Sequence, residues 1–123
     1  MSVQFGPNVR LKARHEFQLV QTQGRRVATR FVTLLALPSQ QSVDRLGLIA
    51  SRKFGNAVTR NRAKRRLREM FRHTEPDTVV GRGLLPLDVV AIPKRAMLAA
   101  PFAAVAADFH QALEGLRKGH TQQ

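Results

Sequence analysis

Apolar positions along this chain switch between a helical and an alternating period, and the switches mark out its elements. From Arg14 to Gln23 the residues Phe17, Leu19 and Val20 share one side of a short helical repeat, and Gly24 is placed to end it. Val27-Ala28-Thr29 and then Phe31 to Leu37 form β-branched and aliphatic runs, closed by Pro38 and the polar Ser39-Gln40-Gln41-Ser42, which predicts two strands and a loop. Arg45 to Ser51 alternates, with Leu46, Leu48 and Ala50 on one side and Gly47 and Ile49 on the other, as a strand does. Ala63, Leu67, Met70 and Phe71 then return to helical spacing inside a stretch predicted helical from Ala57 to Arg72. Gly55-Asn56 breaks the chain before it, Thr59 offers a cap for a later start, and Pro76 limits continuation. A loop from Thr74 to Pro86, with two prolines and two glycines, leads into Leu87-Asp88-Val89-Val90-Ala91-Ile92, apolar enough for a buried central strand that Pro93 closes. Pro101 suits a first helical position, and Phe102, Val105, Phe109, Leu113 and Leu116 follow at helical spacing up to Gly119.

The predicted order is therefore helix, three strands, helix, strand, helix. This is an α+β chain, and its 123 residues suffice for one domain with a modest core. The expectation is a single domain over 1–123 with flexible ends at 1–9 and 119–123. A hydrophobic content of 43% is ordinary for a folded domain. The absence of cysteine excludes disulfides and thiolate metal sites, and a reducing compartment fits. The start, Met1-Ser2-Val3-Gln4-Phe5-Gly6-Pro7, lacks an export signal, and no run approaches the roughly 18 apolar residues of a membrane span. A cytoplasmic protein without a membrane partner is expected.

Charge changes the picture most. Twenty-one basic against eight acidic residues give a formal +13, which points to a polyanionic partner, nucleic acid before anionic membrane. Nine of those basic residues fall in the twenty-one positions from Arg52 to Arg72. On a helix, Ala63, Leu67, Met70 and Phe71 occupy an arc of about 100°, a usual width for a buried stripe. The opposite side carries Asn61, Arg65, Arg68 and Arg72, flanked by Lys64 and Arg62, a stripe that tracks a phosphate backbone over about three turns. Arg60 lies towards the apolar edge and has to snorkel, and Glu69 is spaced to pair with Arg65 or Arg72. Arginine outnumbers lysine seven to two in the block, and its planar fork suits phosphate. Neutralising about five to seven phosphates makes affinity steeply salt-dependent without specifying a sequence.

Other chemistries find less support. Protein-borne nuclease activity needs clustered carboxylates or a metal with a general base. The eight acids are scattered; Asp44, Asp77, Asp88 and Asp108 read as surface or capping residues. His15, His73, His110 and His120 have no ligand spacing, and His110 beside Phe109 reads as a surface or boundary residue. The basic run superficially resembles that of a leucine-zipper factor, but Pro76, Gly81, Gly83 and Pro86 exclude the heptads that must follow. The apolar face is too narrow for a membrane-surface helix. A structural RNA-binding protein of ribosomal type stays open, because composition does not separate it from an RNA-processing subunit.

The run Ser51-Arg52-Lys53-Phe54-Gly55-Asn56-Ala57-Val58-Thr59-Arg60-Asn61-Arg62-Ala63-Lys64-Arg65-Arg66-Leu67-Arg68-Glu69 closely resembles the signature of the protein subunit of bacterial ribonuclease P, built around Arg-Asn-Arg. Leu11-Lys12 before Glu16-Phe17, the helix ending at Gly24, Leu46-Gly47-Leu48 and Asp88-Val89-Val90-Ala91-Ile92 follow the family pattern in order, over roughly residues 10 to 117. The resemblance implies the order αβββαβα with the basic helix in a left-handed β-α-β crossover, where the default would be right-handed. It implies one protein joined to one catalytic RNA, with magnesium bound mainly by that RNA and no organic cofactor. The complex would remove the 5′ leader of precursor tRNA by hydrolysing one phosphodiester bond, with the chemistry in the RNA and no catalytic residue in the protein. Lys53, Arg60, Asn61, Arg62, Lys64, Arg65 and Arg68 match the motif's RNA-facing positions, with Arg52, Asn56 and Arg72 beside them. Asn61 has an amide that can bridge an RNA oxygen and a metal-bound water. A cleft between the first helix and the sheet would hold the single-stranded leader, with Phe17, Val20 and Phe31 as its residues and Phe17 able to stack on a base or ribose. Gln21 and Leu35 stand where relatives often carry aromatics, so stacking is expected to be weaker and electrostatics a larger share. Phe54 is expected to pack beneath its loop, with a contact role as the alternative.

Overall fold

The structure, a computed structural model, describes residues 10–39, 43–72 and 86–121. Within them α1 (Arg14–Gln23), β1 (Arg25–Ala28), β2 (Val32–Pro38), β3 (Arg45–Leu48), α2 (Ala57–Arg72), β4 (Leu87–Pro93), α3 (Ala96–Ala99) and α4 (Phe102–Thr121) follow one another. The expected order holds, with one insertion. The four-residue α3 is too short to show a period, and Met97 is its one buried residue. β3 ends at Leu48, earlier than the alternation to Ser51 suggests, and α4 runs past Gly119 to Thr121. The expected loop from Thr74 to Pro86 lies outside the described residues except at its last position, as do the expected flexible end 1–9 and the last two residues.

The sheet has the order β1-β2-β4-β3. β2 is antiparallel to both β1 and β4, whereas β3 and β4 are parallel, with Leu46 opposite Val89. A parallel pair needs a crossover, and α2 supplies it. The two central strands are covered on both faces, which is why their apolar runs are nearly unbroken. Val32, Leu34 and Ala36 of β2, with Leu87, Val89 and Ala91 of β4, pack with the buried sides of α2 and α4 in one cluster. The alternate positions Leu35 and Val90 face the other way and join Leu11 and Val20 beneath α1. β3 alternates as expected, Leu46 and Leu48 in the first cluster and Ile49 in the second.

Two arginine–carboxylate anchors tie the layers at the end of the sheet where β3 and β4 begin. Arg117 of α4 donates to both oxygens of Asp44, at 3.2 and 2.6 Å, while Asp44 also accepts the Leu87 N–H at 2.8 Å. Both side chains are about 5% exposed, at 5% and 6%, so each guanidinium and carboxylate depends on the other. Arg45 donates to Asp88 through Nε at 2.8 Å and Nη2 at 2.9 Å, and reaches Glu16 of α1 at 2.9 Å. Asp44 and Asp88, expected on the surface or in caps, are therefore buried partners of arginine. Asp77 lies outside the described residues. The hydrogen bonds to Asp88 raise the Arg45 guanidinium above its ordinary value. Burial works to raise the Glu16 carboxyl, but the Ala13 and Lys12 N–H groups and Arg45 outweigh it and hold it below the usual carboxylate range. Among the described residues no helix is long and apolar enough to cross a membrane.

Candidate nucleic-acid interface

The basic helix starts at Ala57 because Asn56 caps it: its Oδ1 accepts the Thr59 N–H at 2.9 Å, and its carbonyl accepts the Arg60 N–H at 2.9 Å. Thr59 is thus a first-turn residue and not the cap. Ala63, Leu67, Met70 and Phe71 are the buried residues of α2, the four that the spacing singles out. Asn61, Arg62, Arg65 and Arg72 are exposed on the far side. The two flanks differ. Arg66, at the edge nearest α3, donates through Nη1 to the carbonyls of Met97 and Ala100, both at 3.3 Å, and so serves the fold. Lys64 and Arg68 are half-buried on the opposite flank, towards β3 and α1. Arg60 sits at the apolar edge as expected, with its Nε buried and without a hydrogen-bond partner. Glu69 pairs with Arg72 at 3.2 Å, a half-exposed contact of small energetic worth.

Lys64 and Arg68 do not face open solvent. With Arg10 and Phe17 they line a cleft of about 130 Å³ whose apolar side is Leu11, Leu46 and Leu48. Gly47 makes this possible: a methyl group there would lie 2.5 Å from Cε1 of Phe17 and 3.1 Å from the Cβ of Leu11. α1 can therefore lower its aromatic ring onto β3. Burial, and after it the Arg10 charge, disfavour the charged form of Arg68 and lower its pKa. A bound anion offsets both. Arg10 gave no signal in the sequence; a lone parallel bridge to Leu46 and the bond from Leu11 N–H to the Leu46 carbonyl, 3.0 Å, bring it here.

The three residues expected in one leader cleft are not together. Phe17 is half-buried and borders the cleft, whereas Val20 is 1% exposed and belongs to the core beneath α1. Phe31 packs against the other core cluster, on the α2 and α4 side of the sheet, because it lies in the bend before β2 and not in the strand, whose alternation would place it with Leu35. Alternation in β2 had no anchor in the sequence to say which face Phe31 would take. Arg52, Lys53 and Asn56 are exposed in and around the loop before α2, and Phe54 packs beneath it. His110 Nε2 lies 2.9 Å from the Met70 carbonyl, a boundary role between α4 and α2. Among the described residues no group of three or more His, Asp or Glu side chains could hold a metal ion, and the carboxylates of Glu16, Asp44 and Asp88 are occupied by arginines.

Comparison with known proteins separates the two RNA-binding classes that composition leaves open. Residues 5–117 match the family model described as Ribonuclease P. The chain is 45% identical over 94 residues to the ribonuclease P protein component of Symbiobacterium thermophilum, covering 76% of this chain and 77% of that one. It is 42% identical over 86 residues to that of an Exiguobacterium species, covering 70% of each. Its fold is similar to the RNase P protein from Thermotoga maritima, at 28% identity and a TM-score of 0.68 over 89% of this chain and 96% of that one. A second similar structure is the Staphylococcus aureus RNase P protein, at 27% identity and a TM-score of 0.64 over 92% and 95%. The chain belongs to the bacterial ribonuclease P protein family, the protein components of a tRNA-processing ribonucleoprotein.

Proposed function

We propose that this protein joins one catalytic RNA through the outward face of α2, receives the 5′ leader of precursor tRNA beside Phe17, and promotes hydrolysis of one phosphodiester bond by the RNA. One observation carries this: Arg10, Lys64 and Arg68 share a single cleft with the half-buried ring of Phe17. Cations hold the backbone of a single strand and an aromatic ring stacks on its base or ribose, each stacked base being worth about 1–3 kcal/mol. Among the described residues Phe17 is the one aromatic lining that cleft, since position 21 is an exposed glutamine and Leu35 is buried, so electrostatics takes the larger share. The exposed Asn61, Arg62 and Arg65 then meet the catalytic RNA on the same helix, and the Asn61 amide is free in chemistry to bridge an RNA oxygen and a metal-bound water. Magnesium, held mainly by the RNA, supplies the Lewis acid and the nucleophilic water when bound. The residues of this chain bind, neutralise and orient. The cytoplasm, where precursor tRNA is made, is the expected setting.

Cleavage assays at moderate magnesium test this reading. The protein alone should leave precursor tRNA intact, and addition of the catalytic RNA should yield the mature 5′ end at a rate above that of the RNA alone. Robust cleavage by RNA-free protein would overturn it.

A further inference from the structure

The two ends of the sheet differ in what holds their cations. The end of the sheet where β3 and β4 begin holds Asp44 and Asp88, each bound to an arginine. The opposite end, where β1, β3 and β4 finish and β2 begins, carries Arg30, Arg52, Lys53, Lys94 and Arg95, all exposed. None of these five is paired with a carboxylate among the described residues. Three of them are nevertheless held in place. Lys94 Nζ donates to the Thr29 carbonyl at 2.6 Å, Arg95 Nη2 donates to the Lys53 carbonyl at 3.0 Å, and the Arg30 guanidinium stands 5.8 Å above the Phe31 ring. Each keeps further N–H donors for a ligand. The bond from Arg95 to Lys53 joins this patch to the loop that enters α2.

We infer that this end of the sheet is a second RNA-binding surface, and that its occupant is the phosphate backbone of a double-helical segment of the catalytic RNA. The inference rests on the proposal that the chain binds such an RNA. The patch extends about 14 Å across four strands and meets α2, itself about 24 Å long. Its chemistry differs from that of the Phe17 cleft. Among the described rings within the patch, Phe31 stands beneath Arg30 and Phe54 packs inward, and the partly exposed Phe102 lies beyond it at the start of α4, so the patch itself offers cations and no stacking platform. Cations without a stacking platform suit duplex RNA, whose recognition runs through phosphates and shape.

The test is the salt dependence of affinity between the full chain and the catalytic RNA, with the variant Arg30→Gln/Lys94→Gln/Arg95→Gln beside Arg62→Ala/Arg65→Ala. The triple variant should lower the slope of log affinity against log salt by about two to three units, near one per lost phosphate contact. Arg30→Gln alone, whose one described contact is the Phe31 ring, should lower it by about one unit and covers the case in which the triple variant folds poorly. In the holoenzyme, the preference for precursor over mature tRNA should stay unchanged. An unchanged slope in both sheet-end variants, with a lowered slope in the α2 variant, overturns this inference and leaves the proposed function standing. Unchanged slopes in all of them overturn both. A lost precursor preference with unchanged catalytic-RNA affinity gives the patch to the leader and also overturns it.

Discussion

Arg65 and Arg66 are neighbours in the chain and about 100° apart on α2, yet they belong to different parts of the molecule. Arg65 is exposed on the far side from the core, while Arg66 is half-buried and bound to two carbonyls around α3. Arg45 and Arg117 go further inward, each forked onto a carboxylate. A basic composition thus mixes two populations of arginine. The inward ones hold layers together through partners far away in sequence, whereas the outward Arg62 and Arg65 stand exposed and Arg72 meets only its helix neighbour Glu69 among the described residues. Charge density alone does not sort them; the angular position on the helix does.

The contrast can be broken first from the inside. Asp44→Ala takes the carboxylate from the buried Arg117 guanidinium and removes the acceptor of the Leu87 N–H, so unfolding by urea should show a loss of about 3–5 kcal/mol. A loss below about 1 kcal/mol would mean that this pair is not the buried anchor described. Gly47→Ala forces the Phe17 ring away from β3 and should cost about 1–3 kcal/mol by overpacking. It should also weaken precursor tRNA binding more than mature tRNA binding; equal losses would take Phe17 out of the leader site.

Glu16 provides a smaller effect with a definite sign. Its folded pKa is lowered, so its contribution to stability is present above the ordinary glutamate value of about 4.3 and is lost as pH falls through the lowered folded value. The wild-type protein should therefore lose stability below about pH 4.3 more steeply than Glu16→Gln. Parallel melting curves over that range would show that Arg45 and the α1 backbone do not favour the carboxylate.

Much of this was legible in the sequence wherever a period and its punctuation agree. α2 has both, Gly55-Asn56 ahead of it and four apolar residues at helical spacing, and its bounds and buried face emerged intact. α1 likewise ends just before Gly24. What stayed hidden depends on partners distant in the chain. Asp44 and Arg117 are 73 residues apart, and Arg45 and Asp88 are 43 apart, so no local pattern marks either pair as buried. Arg10 reaches the cleft through one bridge to β3, and Phe31 takes its place from the bend ahead of β2, where strand alternation does not reach. The exposed face of α2 followed from its helical period, whereas the burial of Val20 under α1 and the side taken by Phe31 depend on how the sheet packs.

The central claim is that the outward arginines of α2 meet RNA while the inward ones serve the fold, and the salt dependence of catalytic-RNA affinity tests it most directly. Arg62→Ala/Arg65→Ala should leave stability within about 0.5 kcal/mol of wild type and lower the slope by about two units. Arg66→Ala should cost about 1 kcal/mol of stability, for its two bonds to carbonyls, and leave the slope unchanged. Equal slopes for the two variants, or a drop confined to Arg66→Ala, would contradict the account.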